Sequence, residues 1–517
     1  MARYLNLHQP DTEFFLRTET IRVNDGSTGR WLAILPRTFD HAITACFFVV
    51  IMGMACLMPM QNDSWWHLRA GQEMWTRRFI MLADEFSFTV NGAHWPNHEW
   101  LSEVVFYALY WLGGLPALTL FAAMCVTLAT ALAWRLMAGA PAERLLFMGV
   151  AMASIAPVWT VRPHIFTLLL LLVTVHLALL ERYWPIPLIF LVWANLHGGV
   201  ALGLVALGGV MAGRAYLAWP AVAAARGAGA GVSQVRPLLL TMAAAFGATC
   251  VTPLGGSLWW RIPESIHKSS VNQIVEWQPP SLFDPTYLAF WAVAAVVVVS
   301  TWTNRSRIRT DRHAALIGIT LALLPLALRS RRNVPPFLLV ALPALTYNLA
   351  DSLARWRDGR SRDVGTVHAW RLNTGFVGAS VLVCTVIVGV AWSRPAPRLQ
   401  WRPLPQPVVD DVQECGDRVF NRYPDGGPLI WFAPRVRVFI DSRQDPYPLS
   451  FTQEYIRVEQ TGEYAAVFER YGIRCAMLPD DSRIATRLKN DGWRARVHHD
   501  GWSVLESPAP RTPARLR

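Results

Sequence analysis

Apolar runs of about 15–22 residues recur through the first three quarters of this chain, and a helix needs roughly 20 residues to cross the hydrocarbon of a bilayer. With 53% hydrophobic and only 16% charged residues among 517, the composition lies far from that of a soluble globular domain. The chain reads as a polytopic α-helical membrane protein. Its formal net charge of +12 comes from arginines gathered in short loops between the apolar runs. That placement fits membrane orientation and anionic headgroups, not nucleic acid.

About forty mostly polar residues precede the first apolar run, 41–60, so that run reads as an anchor and not a cleaved signal. Arg3, Arg17, Arg22, Arg30 and Arg37 place segment 1–40 in the cytoplasm, and loop 61–116 is then extracytoplasmic. The run 101–113 reads as a juxtamembrane helix, since counting it as a crossing would put the Arg-rich segments 304–312 and 355–371 on the wrong face. Further crossings are expected near 117–134, 145–160, 165–180, 185–196, 200–219, 237–252, 286–302, 314–328, 334–350 and 374–392. These make about eleven in a membrane domain spanning 41–393. Residues 394–517 open with a Pro-rich linker. They then alternate β-like PLIWF, RVFID, RCAMLP and GWSVLE with helical EYAAVFERYG and RIATRLKND, the pattern of a small extracytoplasmic α/β domain. Cys415 and Cys475 can pair there in an oxidising compartment; the other five cysteines lie in or beside apolar runs. The expected location is a bacterial inner membrane.

The loop after the first crossing holds five acids and five tryptophans between 61 and 100, too polar to cross a bilayer and too aromatic for a plain linker. On this topology the unusual polar groups share the outer side: Asp63, Asp84 and Glu99; Arg162 and His164; Asn195 and His197; Lys268, Glu276 and Trp277; Arg329, Arg331 and Arg332. Charges near hydrocarbon are costly unless paired or facing water, so their convergence predicts one shared polar cavity.

Asp63, then AGQEMW at 70–75, then VNGAHWPNHEWLSEVVFYALYW at 90–111, resembles the first outer loop of the GT-C class of membrane glycosyltransferases. The likeness is to the lipid A aminoarabinose transferase and protein O-mannosyltransferase branches. Asn62-Asp63 stands in place of their acidic pair and His98-Glu99-Trp100-Leu101 in place of a lysine-proline-proline run, so one acid and the loop lysine are missing here. The resemblance implies a GT-C-like membrane domain, a polyprenyl-phosphate-linked sugar donor, and inverting transfer at the outer face to a lipid, glycan or protein acceptor. Such transfer needs a base at the acceptor hydroxyl and cations at the departing phosphate. Asp63 is assigned as the base, with Glu99 or Asp84 orienting the acceptor or supporting it. Arg329, Arg331 and Arg332, with Arg162, His164 and Lys268, are the candidates for the donor phosphate, a role that suits arginine's permanent charge and forked donors. Trp65, Trp66, His67, His98, His197 and Glu276 are candidates to line the substrate site. No cofactor is implied, and a divalent metal stays open.

Plainer roles compete for several of these residues. Asp63 suits a helix N-cap. Arg329–Arg332 make a cytoplasmic anchor if one crossing is miscounted, His164 and His197 suit core histidines, and Asp441 with Arg443 suits a structural pair as well as acceptor recognition. His67, His94 and His98 lack a helix-spaced zinc pattern. Other functions to weigh are a lipid-linked-glycan transporter or flippase, which calls for internal repeats and charges through the mid-membrane, and a non-catalytic envelope-glycan assembly protein.

Overall fold

A computed structural model describes residues 38–219, 235–358, 370–395 and 398–508. The N-terminal arginines and most of the Arg-rich segment 355–371 lie outside the described residues. Each expected crossing is a helix. Among the described residues, eight helices are long and apolar enough to cross a membrane, and three shorter apolar ones cover His164–Leu179, Ile186–Leu196 and Val235–Thr249.

Helix α1 (Phe39–Cys56) leads into α2 (Asn62–Arg77), whose mixed polar and aromatic face lies under the C-terminal part. Helix α3 (Trp100–Leu136) joins the 101–113 run to the 117–134 crossing through a break. Gly113 leaves helical geometry there and Gly114 adopts φ +64, a left-handed conformation that a side chain resists. The first part of α3 is therefore a separate arm redirected by two glycines. Helices α4 (Pro141–Ile155), α5 (His164–Leu179), α6 (Ile186–Leu196), α7 (Val200–Ala218) and α8 (Val235–Thr249) follow. Next come α9 (Leu258–Val271), α10 (Leu288–Thr303), α11 (Asp311–Arg329), α12 (Val334–Asp358) and α13 (Trp370–Ser393). At the α7–α11 crossing, Cβ atoms added at Gly209 or Gly213 would lie 2.5 Å or less from the backbone of Ile319 or Ala314, so small residues set that close approach.

Five strands, β1 (Arg418–Phe420), β2 (Arg437–Val438), β3 (Cys475–Pro479), β4 (Arg494–His499) and β5 (Trp502–Glu506), form one sheet in the order β2-β1-β3-β5-β4. Strand β1 runs parallel to β2 and β3, and the β3–β5 and β5–β4 pairs are antiparallel. A disulfide joins Cys415 to Cys475. The expected strand PLIWF is instead helix α14 (Gly426–Phe432). Pro428 falls in its first turn, where a missing N–H costs little. Gly426 and Gly427 let the chain touch the backbone of Ile440 and Asn62, where a Cβ would meet carbonyl oxygens at 2.3 and 2.2 Å.

The outer loop and the sheet are packed as one body. Phe88 donates its N–H to the Val438 carbonyl and Val438 donates to Phe86, so the loop continues the sheet at its β2 edge and covers it. Trp66, Met74, Phe86 and Trp95 from the loop share a core with Val409, Val419, Leu429, Val438 and Met477. At the seam Arg443 is fully buried between Asp84 (2.5 Å) and Asp441 (2.6 Å), with Tyr447 donating to Asp441. The guanidinium also lies over Trp95 and Phe86. Removing one partner of a buried ion pair strands the others, at a cost of about 3–5 kcal/mol. Arg443→Ala is therefore expected to lower the melting temperature of the detergent-solubilised protein sharply. Adding Asp84→Asn and Asp441→Asn should recover part of the loss. An unchanged melting temperature in Arg443→Ala contradicts this account of the seam.

Candidate functional site

A cavity of about 970 Å³ opens where α2, the turn before α5, the α6–α7 turn, α9, the 273–277 segment, the α11–α12 turn and the 442–445 loop meet. Its walls mix apolar side chains such as Leu168, Leu202, Ile262 and Pro336 with a dense set of charges. Asp63 lies in the first turn of α2, one residue inside it. The cap is Gln61, with no side-chain cap bond, so the carboxylate of Asp63 is free to point away from its own helix. It meets Arg162 Nη2 at 2.7 Å and accepts a hydrogen bond from the Ser442 hydroxyl. Trp66 Nε1 donates to Ser442 Oγ at 3.1 Å, holding that hydroxyl in place.

Arg162 is fixed by a tight turn: its N–H donates to the Thr160 carbonyl, and its own carbonyl accepts from Ile165 at the start of α5. The turn is tied to α2 by Ser64, whose hydroxyl donates to the Val161 carbonyl at 2.7 Å. The guanidinium reaches the Glu276 carboxylate at 3.0 and 3.3 Å and Gln61 Oε1 at 3.1 Å. Glu276 in turn meets Arg332 at 2.8 Å. Burial alone would raise the Glu276 carboxyl, but Arg162 and Arg332 hold it well below the usual carboxylate range. Asp63, Arg162, Glu276 and Arg332 thus form one chain of alternating charge.

Arg332 continues the chain to a second group. Its Nη2 lies 2.8 Å from His197 Nε2, and its guanidinium covers the Trp277 ring. Burial, then Arg332, holds His197 neutral. Glu99 sits among three imidazoles, with His197 Nε2 at 3.4 Å and the Nε2 atoms of His67 and His98 each at 3.8 Å. His98 faces Asp445 at 4.0 Å. Burial raises the Glu99 carboxyl above its ordinary 4.5, against His98 and Arg332, which lower it. Arg331, next to Arg332, lies over the Tyr287 ring.

Of the residues singled out from sequence, the cavity wall holds Asp63, Glu99, Trp66, His67, His98, Arg162, His164, His197, Glu276, Arg331 and Arg332. Four others lie elsewhere. Asp84 is buried in the Arg443 seam, because its carboxylate also caps the N–H groups of Phe86 and Ser87. Arg329 ends α11 exposed, one helical step out of phase with the turn that carries Arg331 and Arg332. Trp65 is buried against Phe432, about 100° around α2 from Trp66. Lys268 is tied to Glu264 and to the Asp445 carbonyl behind the wall. Gln61, Asn97, Tyr423, Ser442, Gln444 and Asp445 line the cavity without having been singled out. The usable signal for the last three was DSRQD at 441–445, a run of polar side chains directly after a buried apolar strand.

No protein-family model matches the chain, and no curated protein sequence does. Solved structures do. The apo crystal structure of the oligosaccharyltransferase of Archaeoglobus fulgidus is similar at a TM-score of 0.53 and 11% identity. The same organism's AglB, in complex with an inhibitory peptide and a dolichol-phosphate, is similar at 0.54 and 10%. A form tethered to an acceptor peptide containing the NVT sequon gives 0.51 and 12%. In each case 84% of this chain and 69% of the other are covered. The chain shares the fold of these oligosaccharyltransferase structures. In that fold the cavity lies between the helical membrane part and the C-terminal sheet.

The raised Glu99 carboxyl gives a pH test. A group whose folded value exceeds its unfolded value contributes stability that is complete below the unfolded value and fades as pH rises through the folded one. Glu99→Gln, fixed in the uncharged form, is expected to melt above the wild type at about pH 8 and level with it near pH 4, read by thermal unfolding in detergent. A variant that melts below the wild type at the higher pH contradicts the assignment.

Proposed function

We propose that this GT-C protein is a glycosyltransferase that moves a glycosyl group from a polyprenyl-phosphate-type carrier to an acceptor hydroxyl, with inversion, at the extracytoplasmic membrane surface. The observation that carries the reading is a carboxylate, Asp63, placed in a lipid-sized cavity with two further cationic side chains, Arg331 and Arg332. In one displacement the acceptor oxygen bonds to the anomeric carbon and its proton passes to Asp63. The bond from that carbon to the lipid phosphate breaks, and the phosphate leaves toward Arg332 and Arg331. Guanidinium groups held in a poorly hydrated cavity stabilise that departing charge more than they would in water. The Ser442 hydroxyl on Asp63 marks the direction of the acceptor's approach, and Trp66, His67, His98 and His197 shape the sugar and acceptor side. The dolichol-phosphate and acceptor peptide in the oligosaccharyltransferase structures support a lipid-linked donor, with a lipid, glycan or protein as acceptor.

In this reading the three shorter apolar helices also cross, giving about eleven crossings, with the N-terminus cytoplasmic and a bacterial inner membrane as the location. Two features support that sidedness. The Cys415–Cys475 disulfide ties the end of the 406–414 helix to strand β3 of the C-terminal sheet, and disulfides persist outside the cytosol. Arg312 starts α11 and bonds the Arg135 carbonyl at the end of α3, about a membrane's hydrocarbon thickness from Arg331 along a 19-residue helix. Basic loops there fit the cytoplasmic face.

The test is transfer of radiolabelled sugar from polyprenyl-phosphate donors in membranes carrying wild type or Asp63→Asn. Loss of a general base is expected to reduce transfer by about 10²–10⁴-fold. Equal transfer by the two proteins removes Asp63 as the base. Absence of transfer with every lipid-linked donor removes the enzyme reading and favours glycan movement or assembly.

A further inference from the structure

The remaining question at this site is where its positive charge comes from. A departing lipid phosphate beside two or more carboxylates ordinarily calls for a hard cation, and Mg²⁺ or Mn²⁺ bound through carboxylate and amide oxygens would supply it. The oxygens able to do so here are Asp63 Oδ2, Glu276 Oε1 and Oε2, and Gln61 Oε1. All four lie 2.7–3.3 Å from the terminal nitrogens of one side chain, Arg162. We infer that the Arg162 guanidinium is the resident cation of this centre, filling the place where a divalent ion would otherwise bridge Asp63 and Glu276.

Three features make the position a built one. The 160–165 turn aims Arg162 at its partners before any ligand arrives, and the Ser64–Val161 bond locks that turn to the helix bearing Asp63. Both terminal nitrogens of the guanidinium are engaged, each with two oxygens, in the planar fork that suits paired carboxylates. Expelling the guanidinium to admit a metal would strand a buried positive charge, which costs far more than a surface ion pair returns. Among the described residues, no group of three or more His, Cys, Asp or Glu has metal-holding geometry. The residues here therefore do not fit a divalent ion at the Asp63–Glu276 position.

The division of labour follows from the contacts. Arg162 is saturated by Asp63, Glu276 and Gln61 and acts on charge balance and on the aim of Asp63. Arg332 gives one bond to a Glu276 oxygen and one to His197, so N–H groups of its guanidinium remain for an anion. Arg162 is in this sense a positioning residue for the base and for Glu276. The inference rests on the transferase reading for the reaction it serves, but its binding test needs no substrate.

The experiment is Mn²⁺ titration of the purified full-length protein, followed by the loss of the free-ion electron paramagnetic resonance signal at up to about 1 mM Mn²⁺. The wild type is expected to bind no Mn²⁺ that Asp63→Asn abolishes, whereas Arg162→Ala should gain one such site and Arg162→Ala/Asp63→Asn should lose it again. An Asp63-dependent Mn²⁺ site in the wild type overturns the inference, and that arm does not depend on how Arg162→Ala folds. In the transfer assay, EDTA is expected to change wild-type activity by less than about twofold. A loss of about tenfold or more that Mn²⁺ restores also overturns it. If no donor is used at all, the transferase reading fails while the titration still decides the cation.

Discussion

The site depends on a relay of opposite charges running from Asp63 through Arg162 and Glu276 to Arg332. Each member comes from a different part of the chain: the first turn of α2, the turn before α5, the 275–277 segment, and the α11–α12 turn. None could sit at the edge of a helical bundle alone, because an unpaired charge beside hydrocarbon is expensive. Together they satisfy one another, and the relay fixes four elements around the cavity. Its net gain over apolar packing is small, since removing two charges from water consumes most of their attraction. What it supplies is placement.

A second buried ion group, Asp84–Arg443–Asp441, does the equivalent task for the outer wall. It pins the 441–445 loop to the outer loop and so delivers Ser442 to Asp63 and Asp445 to His98. The cavity is consequently shared among the bundle, the outer loop and the sheet. Its wall carries Leu168, Leu202 and Ile262 from α5, α7 and α9 beside the charged side chains of the turns. In the proposed reaction this is where a lipid-borne anion and a water-borne acceptor meet.

Much of this was legible in the sequence because charge and apolar length obey simple rules. The apolar helices follow from hydrocarbon thickness. The grouping of Asp63, Arg162, Glu276 and Arg332 on one face follows from where arginines may sit between apolar runs. Finer placement was not legible. Whether Trp65 or Trp66 faces the cavity is a matter of one residue around a helix, and the sequence of α2 is aromatic on both sides. Asp84 and Asp63 look alike in sequence, but one carboxylate accepts backbone N–H groups from its own turn and the other does not. The segment PLIWF has strand-like composition, yet two glycines that allow backbone contact with α2 and Ile440 make it a helix. The part played by the 442–445 loop depends on a contact across more than 370 residues, which local patterns do not encode.

The most direct test of the central claim is a cryo-electron microscopy structure of the full-length protein in nanodiscs with a polyprenyl phosphate bound. The phosphate is expected within hydrogen-bonding distance of Arg332, with Arg162 still bridging Asp63 and Glu276 and the Asp63 carboxylate facing the open side of the phosphate. A phosphate bound away from the 331–332 turn, or a headgroup that lies against Asp63 with Arg332 turned out of the cavity, contradicts the account.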